Sequence, residues 1–341
     1  MSTMIPAAVR AWPGWPAVWT RCKQLAPWAL ALLVLALLAR QAGTIAWRDV
    51  GSALLQQSPL MLAAAAALAL VSHALFASYD LVSRHETGHR LSAPRTLGIA
   101  AVCYAFNLNF GSLVGALAVK LRLYARAGLK PALVARIIAV AVLTNWVGYL
   151  ALGGLVLAIA PPPVPPQIEL SSAAVRAIGI AMLGVAVAYA VMCVVRRGRP
   201  FTVRGHRLAP PLPRVVAWQF MVSITNWALM GVIVWLLLGR AAPYTMVLAV
   251  LLLAAVAGVA THVPAGLGVV EAVFVACLGG QGNLTTTTVL AALLSYRAVY
   301  YLVPLALASI GYAFSEASAR KSGRAPAGTS RARGSTAARR T

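Results

Sequence analysis

Two oppositely charged side chains, Glu271 and Arg297, lie deep inside apolar stretches of the chain. A charged group at the centre of a membrane helix costs about 2.5–3.5 kcal/mol on insertion scales, so it is expected to have a partner or to line a watery cavity. Two interpretations stay open. The residues form a salt bridge that only locks two segments together, or they line a polar path in which Arg297 contacts a phosphate and Glu271 a cationic headgroup or a proton.

Glu271 follows an interruption in a long apolar run. The run from Tyr244 to Gly280 has 37 residues, and one straight helix of that length would reach about 55 Å, nearly twice the thickness of a hydrocarbon core. Its centre contains Pro264, Gly266 and Gly268, which a membrane helix avoids unless a break is useful. We predict two helices that meet at an unwound turn, with Glu271 in the first turn of the second helix beside freed backbone N–H groups.

The second half of this run is too short to cross a bilayer. From Gly266 to Gly280 it has 15 residues, which make about 22 Å of helix, so we expect a re-entrant hairpin. Thr261 and His262 stand just before the break. Their side chains are expected to satisfy backbone groups freed by the turn, and the alternative is that they contact a substrate.

A second apolar run, Thr96–Val119, carries two amides at its centre, Asn107 and Asn109. If this run crossed the membrane, the basic residues from Lys120 onward would lie outside the cell, against the positive-inside rule. We therefore predict a second hairpin, which enters from the cytoplasm and returns. The two amides have the same two interpretations as Thr261 and His262.

Three further charged residues flank these runs. Asp80 lies near the cytoplasmic end of its helix, where it could reach the interface or pair with Arg84. Lys120 and Arg122 belong to a short basic helix that we place at the cytoplasmic surface, where they could recruit anionic lipid.

The segment His85-Glu86-Thr87-Gly88-His89 matches the HExxH pattern of zinc proteases. It contains a Gly, it stands in a short basic loop, and its flanks offer no good third ligand, so we predict no metal site. No phosphate-binding loop, dinucleotide-binding Gly pattern or nucleophile constellation is present in the sequence. We therefore expect no cofactor and no enzymatic activity.

Composition defines the class of protein that must position these residues. The chain is 61% hydrophobic and 10% charged, whereas soluble domains contain about 25% charged residues. A net charge of +23 would suggest nucleic acid for a soluble protein, but 23 of the 29 Lys and Arg residues fall in five clusters that the positive-inside rule places in the cytoplasm. These clusters are Arg10–Lys23, Arg84–Arg95, Lys120–Lys130, Arg196–Arg214 and Arg320–Arg340. We predict a membrane protein with both termini cytoplasmic and no nucleic-acid partner.

The predicted fold is an all-α polytopic membrane protein with six spanning helices and two re-entrant broken-helix hairpins. The predicted crossings are Leu25–Ile45, Pro59–Ser83, Pro131–Ala160, Ser171–Val195, Val215–Leu238 and Thr286–Tyr312. A basic segment (1–24) precedes this domain (25–314), and a disordered basic tail (315–341) follows it. The regions 59–160 and 215–312 repeat one layout in opposite orientation, as in inverted repeats that meet at a midplane substrate site.

Four stretches together resemble the lysylphosphatidylglycerol synthase transmembrane family, and in particular its short YbhN-like inner-membrane members. They are Tyr79-Asp80, Asn107–Gly111 with Lys120–Tyr124, Val263–Glu271, and Tyr296-Arg297 with Tyr301 and Pro304. Ala265 stands where the family usually has Gly, and Asn226 stands where an acidic residue is expected. Because 341 residues leave no room for the soluble aminoacyltransferase domain, the resemblance implies the lipid-translocating half alone.

The resemblance implies a flippase for phospholipids or aminoacylated phospholipids in the bacterial inner membrane, with anionic phospholipids as partners. The candidate substrate-binding residues are then Glu271, Arg297, Thr261, His262, Gly266, Gly268, Asn107, Asn109, Lys120, Arg122 and Asp80. A non-transporting scaffold for a lipid-synthesising enzyme, with or without homo-oligomer formation, is the alternative. A membrane metalloprotease is a third hypothesis, which rests only on His85, Glu86 and His89.

Overall fold

A computed structural model describes residues 48, 51–52, 55–110, 117–162, 171–203, 206–261 and 263–322. The predicted crossing Leu25–Ile45 and the basic segment 1–24 lie outside these residues. Within them the chain is almost wholly helical and contains six helices that are long and apolar enough to cross a membrane. The predicted class, an all-α multi-pass membrane protein, is confirmed.

Eleven α-helices follow one another in the described part of the chain. They are α1 (Pro59–Ala77), α2 (Tyr79–Thr87), α3 (Ala93–Phe110), α4 (Leu117–Arg126), α5 (Pro131–Ile159), α6 (Ser172–Arg196), α7 (Pro213–Leu237), α8 (Tyr244–Thr261), α9 (Val269–Leu278), α10 (Thr286–Arg297) and α11 (Val303–Ser322). A 3-10 turn, Pro264–Gly266, separates α8 from α9, and a π-helical turn, Ala298–Leu302, joins α10 to α11. Strands β1 (Phe201–Val203) and β2 (His206–Leu208) form a small antiparallel ribbon in the basic segment between α6 and α7.

Five of the six membrane-length helices coincide with predicted crossings. These are Pro59–Thr87, Pro131–Ile159, Ser172–Arg196, Pro213–Leu237 and Thr286–Ala313. The sixth is α8, the first half of the broken run, whose 18 residues give about 27 Å of helix. Helix α9 has only 10 residues, about 15 Å, and is too short to cross.

Local sequence signals fix where several helices begin and end. Pro59, Pro131 and Pro213 each stand in the first turn of a long helix, where the missing N–H removes no helical hydrogen bond. Helix α6 begins after Ser171, whose hydroxyl accepts a hydrogen bond from the backbone N–H of Ala174. Helix α2 ends at Gly88, which adopts a left-handed φ of 66°.

Helices α5 and α6 approach each other closely because glycines face each other across their interface. A methyl group added to Gly179 would lie 2.6 Å from the backbone nitrogen of Ala158 and 2.8 Å from the carbonyl oxygen of Gly154. Small residues at a membrane-helix interface allow such backbone contact. Gly148 of α5 makes a comparable contact with Ser223 of α7, so α5 holds both neighbours at short range.

The helices differ strongly in how much of their surface the protein covers. In the most apolar windows of the membrane-length helices, 50% of the α7 residues are buried but only 17% of the α6 residues. Exposed residues such as Ile180 and Val187 give α6 an apolar outer face. Helix α7 therefore lies at the centre of the bundle and α6 at its periphery, where the bilayer replaces protein as the neighbour.

Two helices end next to segments that the structure does not describe. Helix α3 contains Asn107 and Asn109 and continues to Phe110, and residues 111–116 lie outside the described part, so the interruption of this run stays a prediction. Helix α11 continues to Ser322, so the first eight residues of the predicted disordered tail are helical, and residues 323–341 lie outside the described part. Membrane re-entry of the broken segments and the inverted repeat stay predictions.

Candidate functional site

The break between α8 and α9 has the backbone geometry that its composition predicts. Ala265 and Gly266 both have a φ of 57°, and Gly268 has a φ of 76°. Such left-handed conformations cannot continue a helix, and Gly adopts them without steric cost. Gly266 lies against Gly258 of α8, so α8 packs directly on the turn. The predicted division of the 37-residue run into two helices is confirmed.

Glu271 stands in the first turn of α9, as predicted. Its carboxylate accepts a hydrogen bond of 2.8 Å from the backbone N–H of Gly268. This N–H is one of the donors that a helix leaves free at its beginning. A negative charge at this end of a helix also interacts favourably with the helix dipole. The carboxylate therefore caps the helix that the break creates.

Arg297, the last residue of α10, reaches across to this carboxylate. Its Nε bonds to Glu271 Oε1, and its Nη2 donates to Oε2 at 3.0 Å. The same guanidinium donates to the carbonyl oxygens of Ala265 and Gly266, each at 3.1 Å. The ring of Tyr301 lies 5.3 Å from the guanidinium carbon. We call Glu271, Arg297 and the two carbonyls the clamp, because they tie α10 to the turn and to the beginning of α9.

Thr261 does not contribute to this clamp. Its hydroxyl donates to the carbonyl oxygens of Ala257 and Gly258 in its own helix, and its side chain is exposed. His262 lies outside the described residues. Of the candidates at the break, the structure therefore brings together Glu271, Arg297 and Gly266, with Gly268 beside them.

The two amides of the other run lie on α3 rather than in a turn. The Asn109 side chain donates to the carbonyl oxygen of Ala105 at 2.8 Å and to that of Tyr301 at 3.2 Å. Tyr301 belongs to the π-helical turn, where the wider spacing loosens the regular backbone bonding. Asn109 thus joins α3 to that turn. Asn107 is half-buried on the same helix.

Asp80 and Lys120 form a second buried ion pair. Lys120 Nζ and the Tyr124 hydroxyl each donate to the Asp80 carboxylate at 2.7 Å, and Asp80 is almost fully buried. Arg84, the partner considered from the sequence, instead donates to the carbonyl of Leu91. The pair connects α2 to α4. Lys120 is therefore engaged within the protein. Arg122 on the same helix has an exposed side chain.

The HExxH segment does not form one helical face. Helix α2 ends at Thr87, and Gly88 turns the chain so that His89 lies beyond the helix that carries His85. Burial lowers the pKa of the His89 imidazole and so favours its neutral form. Among the residues that the structure describes, no group of three or more His, Cys, Asp or Glu is placed to hold a metal ion.

A third group of polar residues lies at the middle of the bundle, and we call it the midplane cluster. Its members are Ser72 and His73 of α1, Tyr104 of α3, Asn226 of α7 and Tyr300 of the π-helical turn, all at most 7% exposed. The Ser72 hydroxyl donates to the Asn226 side-chain oxygen at 2.6 Å and lies 2.7 Å from the Tyr300 hydroxyl. The Tyr300 hydroxyl lies 3.0 Å from that of Tyr104.

The positions of these residues within their membrane-length helices indicate how deep the cluster lies in the membrane. His73 is the middle residue of the span Pro59–Thr87. Asn226 lies one residue from the middle of Pro213–Leu237, and Tyr300 lies at the middle of Thr286–Ala313. Three spans therefore contribute polar groups at half their length. That depth is where an unpaired polar group is most costly in a bilayer.

Sequence analysis did not single out Ser72, His73 or Tyr104, and it noted Asn226 only as a position where an acidic residue is expected. A neutral polar residue in an apolar helix gives a weak signal, because it carries no charge that demands a partner. The usable signal was position, since each residue stands near the middle of a long apolar run. Only the assembled bundle shows that these midpoints meet.

Comparison with known proteins agrees with this architecture. Residues 24–308 match the family described as the lysylphosphatidylglycerol synthase TM region. The chain is 36% identical over 303 residues to the inner membrane protein YbhN of Escherichia coli. The aligned region covers 89% of this chain and 95% of that protein. It is 29% identical over 300 residues to the uncharacterized protein slr0712 of Synechocystis sp., with 86% and 92% covered. The chain is therefore a multi-pass membrane protein that belongs to the lysylphosphatidylglycerol synthase transmembrane-region family.

Proposed function

We propose that this protein translocates phospholipids, or aminoacylated phospholipids, across the bacterial inner membrane by alternating access. The midplane cluster carries the proposal. A lipid headgroup that crosses a bilayer needs hydrogen-bonding partners at half depth, where the acyl chains offer none. Hydroxyl, amide and imidazole groups from three spans and α3 meet at that depth. Transporters of inverted-repeat architecture bind their substrates at this level, beside broken helices.

The clamp supplies the chemistry for a zwitterionic or anionic headgroup. A guanidinium binds phosphate through two parallel hydrogen bonds, so Arg297 would hold the phosphate once the clamp opens. Glu271 would then take an amine or a proton, and the freed N–H groups at the beginning of α9 add further donors. The exposed Arg122 would attract anionic lipid at the cytoplasmic surface.

One observation favours a second candidate, a membrane scaffold that regulates a lipid-synthesising enzyme. All three guanidinium nitrogens of Arg297 donate to groups of the protein, and Lys120 is paired with Asp80. Buried charges that satisfy one another can be purely structural. In that case, breaking the clamp lowers the amount of folded protein and has no separate effect on lipid movement.

The first test measures movement of fluorescent phospholipids between leaflets in reconstituted liposomes. Tyr300→Phe removes the hydroxyl that joins Ser72 to Tyr104 and keeps the ring. We expect about a five- to tenfold slower rate, the equivalent of one lost hydrogen bond. Tyr149→Phe is the matched control, because its hydroxyl is also buried but bonds to the carbonyl of Leu252 outside the cluster. Equal rates of phospholipid movement for Tyr300→Phe and wild type would show that the midplane cluster is not the substrate site.

The same assay separates transporter from scaffold when Glu271→Gln and Arg297→Gln are compared at equal amounts of folded protein. Loss of translocation in both variants supports a clamp that acts on the headgroup. Less folded protein with an unchanged rate per molecule supports a structural lock. If wild type moves none of several headgroups, the scaffold becomes the better account.

A further inference from the structure

His73 is the only imidazole in the midplane cluster, and one of its ring nitrogens has no hydrogen-bond partner among the residues that the structure describes. Its Nδ1 lies 2.9 Å from the carbonyl oxygen of Ala69. A carbonyl oxygen only accepts, so Nδ1 must carry the proton and donate it. The other nitrogen, Nε2, then holds a lone pair and makes no hydrogen bond to any described residue. The side chain is 93% buried, so this lone pair is enclosed within the bundle.

Burial disfavours a charged imidazole, and two features around His73 would offset that cost. The rings of Tyr104 and Tyr300 flank it, with centroids 4.9 Å and 4.8 Å from the imidazole centroid. Aromatic faces attract a cation at such distances, most strongly where water is excluded. The hydroxyls of the same two tyrosines add oxygen atoms that can accept hydrogen bonds.

Further hydrogen-bonding capacity is left over in the same region. The Tyr296 hydroxyl has no described partner, and its ring stacks on that of Tyr300 at 5.1 Å. The Tyr79 hydroxyl lies near Ser223 and Asn226 without the geometry of a hydrogen bond to either. Buried polar atoms of this kind are the usual partners of internal water. Water is also the means by which a proton would reach His73.

Two fixed charges on the elements packed against α1 are already paired. Asp80 of α2 is paired with Lys120, and Arg297 at the end of α10 is paired with Glu271. Arg95 and Arg214 stand in the first turns of α3 and α7. The titratable side chains around the imidazole are those of Tyr104 and Tyr300, which contact it, and those of Tyr79 and Tyr296, which lie near Tyr300. Protonation of His73 therefore changes the charge of the cluster from zero to +1.

We propose that His73 reversibly binds a proton in the middle of the membrane, and that this proton is the coupling ion of the translocator. In the step, Nε2 takes a proton from hydronium, which leaves as water, and the neutral imidazole becomes imidazolium. Nε2 thereby changes from an acceptor to a donor, and the cluster gains a positive charge that attracts a lipid phosphate. The coupling half of this inference rests on the proposed function, whereas the proton site stands independently of it.

Nitrogen NMR of isotopically labelled histidine in the full chain, reconstituted in lipid, tests the proton site directly. A variant with His85, His89, His206 and His262 changed to Gln leaves His73 as the single source of signal. We expect two distinct ring-nitrogen resonances at high pH that converge, as in imidazolium, between about pH 8 and pH 5. A ring that stays neutral over that whole range overturns the proposal. If the fourfold variant does not fold, the spectrum of His73→Gln is compared with that of wild type, and the resonances that are missing from the variant must be ones that titrate.

Lipid movement in liposomes tests the coupling. Wild type is expected to translocate at a rate that changes about tenfold across the titration of His73, and His73→Gln to keep a rate that no longer depends on pH. The matched control is His89→Gln, because His89 is equally buried and its ring nitrogens also have no hydrogen-bond partner among the described residues, but it lies beyond the end of α2. The same pH dependence in His73→Gln and wild type overturns the coupling. A titrating His73 in a protein that moves no lipid supports the proton site and refutes the translocase.

Discussion

Ala265 holds a backbone conformation that alanine adopts only at a cost. Its φ of 57° and ψ of 8° are left-handed, which is unfavourable by about 1–2 kcal/mol for a residue with a Cβ. The conformation persists because Arg297 holds its carbonyl and that of Gly266. The resemblance marked this position as one where Gly is usual, and the geometry gives the reason. The clamp therefore maintains a turn that is strained at one residue.

Replacing Ala265 by Gly should stabilise the protein. The substitution removes the cost of the left-handed conformation, about 1–2 kcal/mol. The greater conformational freedom of Gly in the unfolded chain cancels about 0.5–1 kcal/mol of that gain. We expect the apparent melting temperature in detergent to rise by about 1–3 °C. Ala257→Gly, in regular helix within α8, is the control and should lose stability by about 1 kcal/mol. A lower melting temperature for Ala265→Gly would show that the turn is not strained there.

Charged residues in apolar segments could be recognised from the sequence as candidate site residues, whereas neutral polar residues could not. Glu271 and Arg297 could be recognised, and their pairing anticipated, because an isolated charge in a bilayer is costly. Whether the pair binds substrate stays a prediction. Asp80 could be recognised for the same reason, but its partner Lys120 lies on a different helix and only the fold brings it near. His73 and Ser72 could not be recognised, because neutral polar residues are tolerated in membrane helices and their partners stand more than 30 residues away in the chain.

At the scale of elements, the close glycine contact between α5 and α6 predicts that an added methyl group at Gly179 lowers the stability of the protein. Gly179→Ala places a methyl group within 2.6–2.9 Å of backbone atoms of Ala158, Gly154 and Leu157, which cannot move independently of α5. Overpacking of this kind costs about 1–3 kcal/mol. We expect a clear fall in apparent melting temperature in detergent, or in the yield of folded protein.

Gly184 provides the matched control for this experiment. It lies on the same helix, and an added methyl group would meet nothing within 4 Å. Gly184→Ala should therefore be neutral or slightly stabilising, because Ala favours helix over Gly. Equal effects of the two substitutions would mean that helix propensity, and not the contact with α5, determines the outcome.

Length and apolarity made the long helices predictable, and Pro with Gly made the break between α8 and α9 predictable. Other boundaries had no such signal. Helix α3 runs through Asn107 and Asn109 because an amide can bond to the carbonyl four residues earlier and remain in the helix, as Asn109 does with Ala105. The π-helical turn at Ala298–Leu302 was not predicted at all, since its residues are ordinary helix formers in this setting.

At the scale of the whole molecule, the orientation of the broken segments can be tested by cysteine accessibility. We begin from a variant in which all four native cysteines are replaced. Asn283→Cys should react with a membrane-impermeant reagent in intact cells, because the turn after α9 is predicted to be external. Arg199→Cys and Lys130→Cys should react only after permeabilisation, since the basic clusters are predicted to be cytoplasmic. All three positions are exposed in the structure.

Each position tests a different part of the predicted topology. Reaction of Lys130→Cys from outside would show that α3 and α4 cross the membrane and do not return. Protection of Asn283→Cys in intact cells would show that α8 crosses completely, as its length alone would allow. The inverted repeat depends on both results, because it rests on the order of elements and their orientation and not on similarity of sequence between the halves.

The wide turn at Ala298–Leu302 changes which side chains of its span face the same direction. Each residue of an α-helix rotates the next by about 100°, so an extra residue accommodated in a wider turn offsets the faces before and after it. Arg297 is thereby directed to the break and Tyr300 to the midplane. The wide turn therefore lets one continuous span present Arg297 to the break and Tyr300 to the midplane cluster.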